Sequence, residues 1–423
     1  MMSRIVRFVF IGFLMLTSGC ASLESFLFTP TPAPTKLVTS TPQLAPPTTL
    51  AAGETPQPTL EGARKLRIWL PPQFDPEAGT ASANLLKQRL NLFEAQHPGL
   101  KIEVRVKAEE GDANLLNSLS VTSMAAPRAL PDLIALSHQD LEAAAQKGFL
   151  RPLEENSAVL QDPNWYDYAR ELASFEDIPY GLPIVGDAHI LVYRPELVWI
   201  KNWDDILLSK GLLVFAGAEP QALVGLSLYV SAGGKLSDEQ GKPALDKEIL
   251  RQVLELFADG RAANLFLSAD ANLVSDEQVL EEYRARRANL AIVHMSNDLD
   301  SSDGLIQPLM GLNKLPVSFA TGWVWALAGQ NAENQQLTTE LAEYLVAEDF
   351  LNPWTTEMGY LPVHPSAVSD DDAETKAVVE SAQSIPSDEV MLVLSPLMQD
   401  AIVRVLSGEQ PEAVAASVAE KLK

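Results

Sequence analysis

The sequence predicts an α/β protein in which helices cover a parallel or mixed sheet. The alternation of short apolar strands with amphipathic helices indicates this fold class, and the 47% of hydrophobic residues among 423 indicates a globular chain. Strand–helix–strand order of this kind places the helices on the faces of a sheet. The length predicts two or three domains, or one body with two lobes. With a single cysteine no intramolecular disulfide forms, so stability must come from packing.

The N-terminal half of the body alternates between strand and helix. An apolar run at 65–70 predicts a strand, and leucines at helical spacing predict a helix over 83–97 that Pro98 and Gly99 end. Next we expect strands at 101–106 and 133–136 and a helix at 140–147. The C-terminal half is richer in helix. There we expect helices over 247–259, 276–286, 335–345, 396–406 and 411–421, and strands at 190–193, 289–294 and 323–328.

The N-terminus has the pattern of an export signal. Arg4 and Arg7 precede about a dozen apolar residues, a run shorter than a membrane span requires. The segment Leu-Thr-Ser-Gly-Cys that ends at Cys20 resembles a bacterial lipoprotein signal. We therefore expect residues 1–19 to be removed and Cys20 to carry lipid, which anchors the protein to the bacterial cell membrane. An ordinary secretory signal that ends near a cysteine is the alternative.

Residues 20–63 are expected to form a tether between this anchor and the body. Positions 28–60 contain nine threonines and eight prolines, and they offer little apolar surface to bury. Proline donates no backbone hydrogen bond and favours extended chain, so the tether could span about 100 Å.

Charge and motifs exclude several functions. The chain has 31 basic and 56 acidic residues and a net charge of −25, which argues against nucleic-acid binding. We find no metalloprotease, nucleophile-elbow or dinucleotide motif, which leaves no positive evidence for an enzyme. We expect a non-enzymatic protein without a cofactor. The five histidines are far apart in sequence, and no metal site is expected unless the fold assembles one. A glycoside hydrolase, which needs two carboxylates in one cleft, remains the alternative.

Several segments occur in an order that resembles a known family. They are NLFEAQHPGLKIEV at 91–104, PDLI at 131–134, KGFLRPL at 147–153, YGLP at 180–183, GG at 233–234, DEQGKP at 238–243, GYLPV at 359–363 and LSGE at 406–409. Together they resemble the extracellular solute-binding proteins of ABC importers, in particular the maltose-binding-like group. The resemblance covers about residues 65–423.

The resemblance implies a two-lobed periplasmic-binding-protein fold of type II, the Venus-flytrap fold, with hinge crossings between the lobes. It places crossings near 183–187, 289–293 and 319–325. Lobe 1 would contain 64–184 plus 292–322, and lobe 2 would contain 185–291 plus 323–423. Closure of the two lobes over a solute would then need only a few hinge residues to change conformation.

The resemblance also implies which residues contact the solute. Trp323 would stack on a sugar ring, and Asp187 would bind its hydroxyl groups. The family usually has an aromatic turn where this chain has Met295 to Asp298. The other expected ligand-binding residues are Ser137, His138, Gln139, Gln73, Gln221, Ser296 and Asn297.

The function implied is that of a lipid-anchored, monomeric, extracytoplasmic receptor. It would capture a small solute, a sugar or oligosaccharide, and deliver it to an ABC permease. Related folds also bind polyamines, other small solutes and metals. An envelope-anchored hydrolase and a solute sensor without transport remain alternatives.

Overall fold

A computed structural model describes residues 64–422 except 154–158, 160–161, 198, 210–211, 268–269, 298–302, 313–314 and 330. The predicted signal at 1–19, Cys20 and the tether at 20–63 lie outside these residues. The described part belongs to a single compact unit, Leu60–Lys423. Within it, no helix is long and apolar enough to cross a membrane.

In the described residues, nine strands form one mixed sheet and two short strands form a hairpin. The strands are β1 (Arg64–Leu70), β2 (Leu100–Val106), β3 (Leu133–Ser137), β4 (Ser174–Phe175), β5 (Ile178–Pro179), β6 (Gly181–Tyr193), β7 (Leu213–Val214), β8 (Leu290–His294), β9 (Leu305–Pro308), β10 (Ser318–Leu327) and β11 (Ala382–Ser384). The sheet order is β2-β1-β3-β10-β6-β8-β7, with β11 beside β10 and β9 beside β6, while β4 pairs with β5.

Helices pack around this sheet, as the alternation of helices and strands along the sequence predicted. They are α1 (Ala81–Gln96), α2 (Leu115–Ala125), α3 (His138–Gln146), α4 (Asp167–Leu172), α5 (Trp203–Leu208), α6 (Leu223–Ser231), α7 (Lys247–Ala262), α8 (Asp276–Arg284), α9 (Gln335–Leu345), α10 (Glu348–Glu357), α11 (Ala373–Ser381), α12 (Asp388–Leu406) and α13 (Pro411–Lys421). The predicted α/β class is confirmed.

Two long antiparallel strands, β6 and β10, connect the two groups of strands that make up the sheet. Residues 181–188 of β6 pair with β10, whereas 189–193 pair with β8 and β9. In turn, β10 pairs with β11 through 318–320 and with β3 through 323–327. We call β1, β2 and β3 with their helices the first half, and β7, β8 and β9 with theirs the second half.

A pair of glycines lies in the middle of these two strands. Gly186 of β6 and Gly322 of β10 are direct partners in the register. A Cβ atom on Gly186 would lie 2.5 Å from the Tyr168 hydroxyl, and one on Gly322 would lie 2.5 Å from the carbonyl oxygen of Val185. The two strands can therefore pack this closely against α4 and each other only because both positions lack a side chain.

Helix packing holds each half together. In the first half α1 buries Leu86, Leu90 and Phe93 and packs against α10. There the Trp354 indole Nε1 donates a hydrogen bond to the carbonyl oxygen of Ser82 (3.1 Å). In the second half α7 packs against α6, α12 and α13, and its apolar residues repeat at helical spacing.

This packing divides the chain differently from the predicted lobe ranges. β9 pairs with the end of β6, although 292–322 was expected in the first lobe. α10 packs on α1, although 323–423 was expected in the second lobe. β8 pairs with β6 and β7 of the second half, so the described residues show no crossing at 289–293. The chain changes halves within β6 and within β10, where crossings near 183–187 and 319–325 were expected, and again between α10 and α11, where none was expected.

Candidate functional site

A cavity of about 400 Å³ lies where β6 and β10 pass between the two halves. Its lining draws on both halves and on the two crossing strands. The residues are Gln73 and Glu109 from the first half, Asp187, Thr321 and Trp323 from the crossing strands, Gln221, Asp276, His294, Ser296 and Asn297 from the second half, and Tyr360 after α10. A larger depression of about 700 Å³ lies between α5 and α7, but it is lined from the second half alone.

Asp187 lines the cavity and is held in place by Ser296. It follows Gly186 in β6, and its carboxylate accepts hydrogen bonds from the Ser296 backbone N–H (3.1 Å) and from the Ser296 Oγ–H (2.5 Å). Burial raises the pKa of Asp187, although the charge of His294 and the bonds from Ser296 lower it. The altered turn after β8 therefore supplies a side chain that orients this carboxylate.

A second polar cluster joins the start of α8 to the end of β8. Ser275 caps α8, so Asp276 stands in its first turn, where a carboxylate suits the helix dipole. Asp276 Oδ2 accepts hydrogen bonds from His294 Nδ1 (2.7 Å), the His294 backbone N–H (2.8 Å) and Asn297 Nδ2 (2.8 Å). Burial alone would lower the pKa of His294, but Asp276 and neighbouring carboxylates raise it to about 9. Burial alone would raise the pKa of Asp276, but His294 lowers it.

His189 lies directly beside this cluster. The antiparallel register of β6 and β8 pairs His189 with His294, and the two ring centroids are 3.8 Å apart. His189 is 2% exposed, and its Nδ1 is buried without a hydrogen-bond partner in the described structure. Burial, and then the charge of His294, lowers the pKa of His189 to about 3. Among the described residues, one ligand atom each from His189, Asp276 and His294 lies within 4.8 Å of the others, and these three could hold a metal ion.

Aromatic rings form another wall of the cavity. Trp323 is 7% exposed and makes a T-shaped contact with Phe74, with ring centroids 5.6 Å apart. Phe74 also contacts Trp354 and Tyr360. The Trp323 ring therefore packs, through Phe74, against a cluster of aromatic rings. Trp325, two residues along β10, is 1% exposed and does not line the cavity.

Amide side chains complete the lining. Burial raises the pKa of Glu109, and the neighbouring Gln73 side chain offsets part of that rise. Gln221 precedes α6, and its Nε2 donates to Gln139 Oε1 (3.0 Å), which joins the second half to the first. The cavity therefore presents donors and acceptors together, as ligands with hydroxyl groups require.

The structure brings together six of the residues predicted for the site. Those six are Gln73, Asp187, Gln221, Ser296, Asn297 and Trp323. Gln139 contacts this group through Gln221, whereas Ser137 and His138 do not line the cavity. Ser137 Oγ instead caps α3 by accepting from the Asp140 N–H. His138 is 5% exposed, and its Nδ1 contacts the carbonyl oxygen of Leu172 (2.8 Å), so it faces the interior.

Five lining residues were not predicted from sequence: Glu109, Asp276, His294, Thr321 and Tyr360. Thr321 lies within the crossing expected at 319–325, and Tyr360 lies within the GYLPV segment at 359–363, so the resemblance was the available signal for both. The charged residues Asp276 and His294 are 18 positions apart, and only the adjacency of α8 and β8 joins them.

Comparison with protein families gives a match over most of the body. The model of the family described as bacterial extracellular solute-binding protein matches residues 75–341. No curated protein sequence matches the chain.

Solved structures share the fold at low sequence identity. The chain is similar to the maltose-bound MalE3 of T. maritima, with a TM-score of 0.65, 18% identity, and coverage of 85% of this chain and 99% of that one. It is also similar to the maltodextrin-binding protein MalE1 from L. casei, with a TM-score of 0.68, 15% identity, and coverage of 85% and 98%. A solute-binding protein of an ABC transporter from Thermotoga lettingae, bound to α-D-tagatose, has a TM-score of 0.64, 20% identity and the same coverage. These likenesses show the two-lobed fold.

Proposed function

Because the chain belongs to the family of bacterial extracellular solute-binding proteins, we propose that it captures a sugar or oligosaccharide between its two halves and delivers it to an ABC permease. The observation that carries this proposal is the lining of the 400 Å³ cavity. It combines a supported indole, Trp323, with carboxylate, amide and hydroxyl groups from both halves. Similar structures are described as bound to maltose and to α-D-tagatose.

The chemistry of the lining suits a sugar. Each sugar hydroxyl both donates and accepts, and Asp187, Asn297 and Gln73 offer acceptors and donors in one space. The apolar C–H face of a sugar ring would lie on Trp323. Water expelled on closure would strengthen each of these polar contacts, because they would then act in a medium of lower dielectric.

Closure would bring the two walls together over the solute. Gln73 and Glu109 belong to the first half, and Asn297 and Gln221 belong to the second. A solute that forms hydrogen bonds with residues of both halves would bind the closed state more tightly than the open state, and it would therefore favour closure. The described contact between Gln139 and Gln221 links the same two walls without solute.

Two of the three carboxylates that line the cavity are engaged by neighbouring side chains, which favours binding over hydrolysis. Asp187 is engaged by Ser296, and Asp276 is engaged by His294 and Asn297. A glycosidase needs one carboxyl group free to protonate and another free to attack or to activate water.

Lipid on Cys20 would hold this receptor at the outer face of the bacterial cell membrane, with residues 20–63 as a spacer. The body would then remain close to the permease while it samples solute. We expect it to act as a monomer.

Thermal unfolding of the full chain against sugars, polyols and polyamines tests the solute class. A ligand at 100 times its Kd adds about 2.7 kcal/mol to the free energy of unfolding, which raises Tm by a few degrees. We expect a shift with one class of sugar and no turnover of that sugar. A shift with polyamines alone would reject the sugar assignment, and turnover would favour a hydrolase.

A further inference from the structure

We propose that His189, Asp276 and His294 form a site for a divalent transition-metal ion of the zinc type, with its open coordination positions facing the cavity. One ligand atom from each residue lies within 4.8 Å of the other two. Two imidazoles and one carboxylate are a ligand set that zinc accepts where it keeps a position open. This site stands on its own geometry and does not depend on the identity of the solute.

The three ligands come from rigid elements. His189 and His294 are direct partners in the antiparallel register of β6 and β8, and Asp276 begins α8, which packs against β8. Ligands at about 2.1 Å from a zinc ion lie roughly 3–4 Å from one another. Only small side-chain rotations would therefore gather these atoms around an ion.

His189 supplies an independent reason to expect an ion. Its ring is almost fully buried, and its Nδ1 has no hydrogen-bond partner in the described structure. A buried polar atom left without a partner costs free energy. Coordination of a metal by this nitrogen would remove that cost, whereas a purely structural histidine would be expected to donate to a neighbour.

The surroundings of the three residues match those of a metal site. Asn297 and the His294 backbone orient Asp276 through Oδ2, and none of the hydrogen bonds of the described residues involves Oδ1. Such outer partners fix ligand orientation in metal proteins. Asp276 and His294 line the cavity, so the remaining coordination positions would open toward it.

Titration of the full chain with Zn²⁺ alone, followed by calorimetry, tests this site. We expect one ion per chain. His294→Gln and Asp276→Asn should each raise the Kd at least about tenfold, because loss even of a group that only orients a metal ligand costs about 10- to 100-fold in affinity. The matched control is His97→Gln, which removes a surface histidine that contacts Glu340 (3.1 Å) and should leave the Kd unchanged.

X-ray absorption of the unmodified protein with one equivalent of Zn²⁺ identifies the ligands of the ion directly. This measurement needs no variant, so it still tests the site if a variant fails to fold. The expected spectrum shows two imidazole ligands and oxygen. Fewer than two imidazoles, no saturable binding, or the same Kd in His294→Gln and His97→Gln would overturn the metal site. A sugar that still raises Tm in any of these cases would leave the proposed function intact, so the two failures are distinguishable.

Discussion

Removal of the Trp323 ring tests the sugar site most directly. Trp323 is the indole that lines the cavity, and Phe74 supports it from behind. In Trp323→Ala a bound sugar would lose its stacking surface, while the polar groups around Asp187 would stay in place. Loss of a desolvated aromatic anchor costs about 1–3 kcal/mol of binding free energy. The Kd should therefore rise about 5- to 160-fold.

The same substitution also affects folding, and the two effects must be separated. Trp323 is 7% exposed, so its truncation should lower the free energy of unfolding by about 3–5 kcal/mol. Trp325→Ala is the matched control. Trp325 is on the same strand and 1% exposed but does not line the cavity, so it should lose similar stability and keep its affinity.

Fluorescence or calorimetric titration of both variants with the sugar found in the thermal screen gives the two Kd values, and chemical unfolding gives the two stabilities. Equal loss of affinity in both would mean that the indole acts only through folding. An unchanged Kd in a folded Trp323→Ala protein would refute the stacking argument.

Three further outcomes are expected. Asp270 is fully buried and its carboxylate oxygens have no partner in the described structure, so burial raises its pKa to about 8 from an unfolded value near 4. Between these two pH values the folded state keeps the Asp270 proton that the unfolded state has lost, so the free energy of unfolding should fall as pH rises from about 4 to about 8. In urea unfolding, Asp270→Asn should flatten this pH dependence. An unchanged slope would contradict the assignment. Gly186→Ala should lower Tm by a few degrees, because its new methyl group would overlap Tyr168, and a Tm equal to wild type would show that the strands adjust freely. Cys20→Ser should release the protein from membranes in a fractionation assay, and continued sedimentation with them would argue against lipid anchoring.

Sequence patterns located most of the elements because their signals are local. Helices α1, α7 and α9 have apolar residues at helical spacing, and each was predicted close to its observed range. The strand predicted at 190–193 is the end of a 13-residue strand, β6. Gly181, Pro183 and Gly186 disfavour strand locally, and only tertiary pairing with β10 makes this segment extended.

The family resemblance identified some residues of the site in advance. It did not identify the residues that meet only because two strands pair in a particular register. Asp187 and Trp323 lie on the crossings that the resemblance identified, and the structure places both at one cavity. His189 and His294 are 105 positions apart, and only the pairing of β6 with β8 shows that they meet. His138 was assigned to the site from its loop position, but its ring packs inward against Leu172.

The continuity of β6 and β10 limits how the halves can move. Free linkers would let them swing independently, but here the backbone ladder runs through the midpoint at Gly186 and Gly322. Gly186 also exchanges two backbone hydrogen bonds with Leu361, so a third segment is paired at the same point. Paired segments bend and twist together, so a change in the angle between the halves is spread over many dihedrals. A solute that closes the cavity would therefore have to twist these paired strands together, and the cost of that twist would set how readily the halves close.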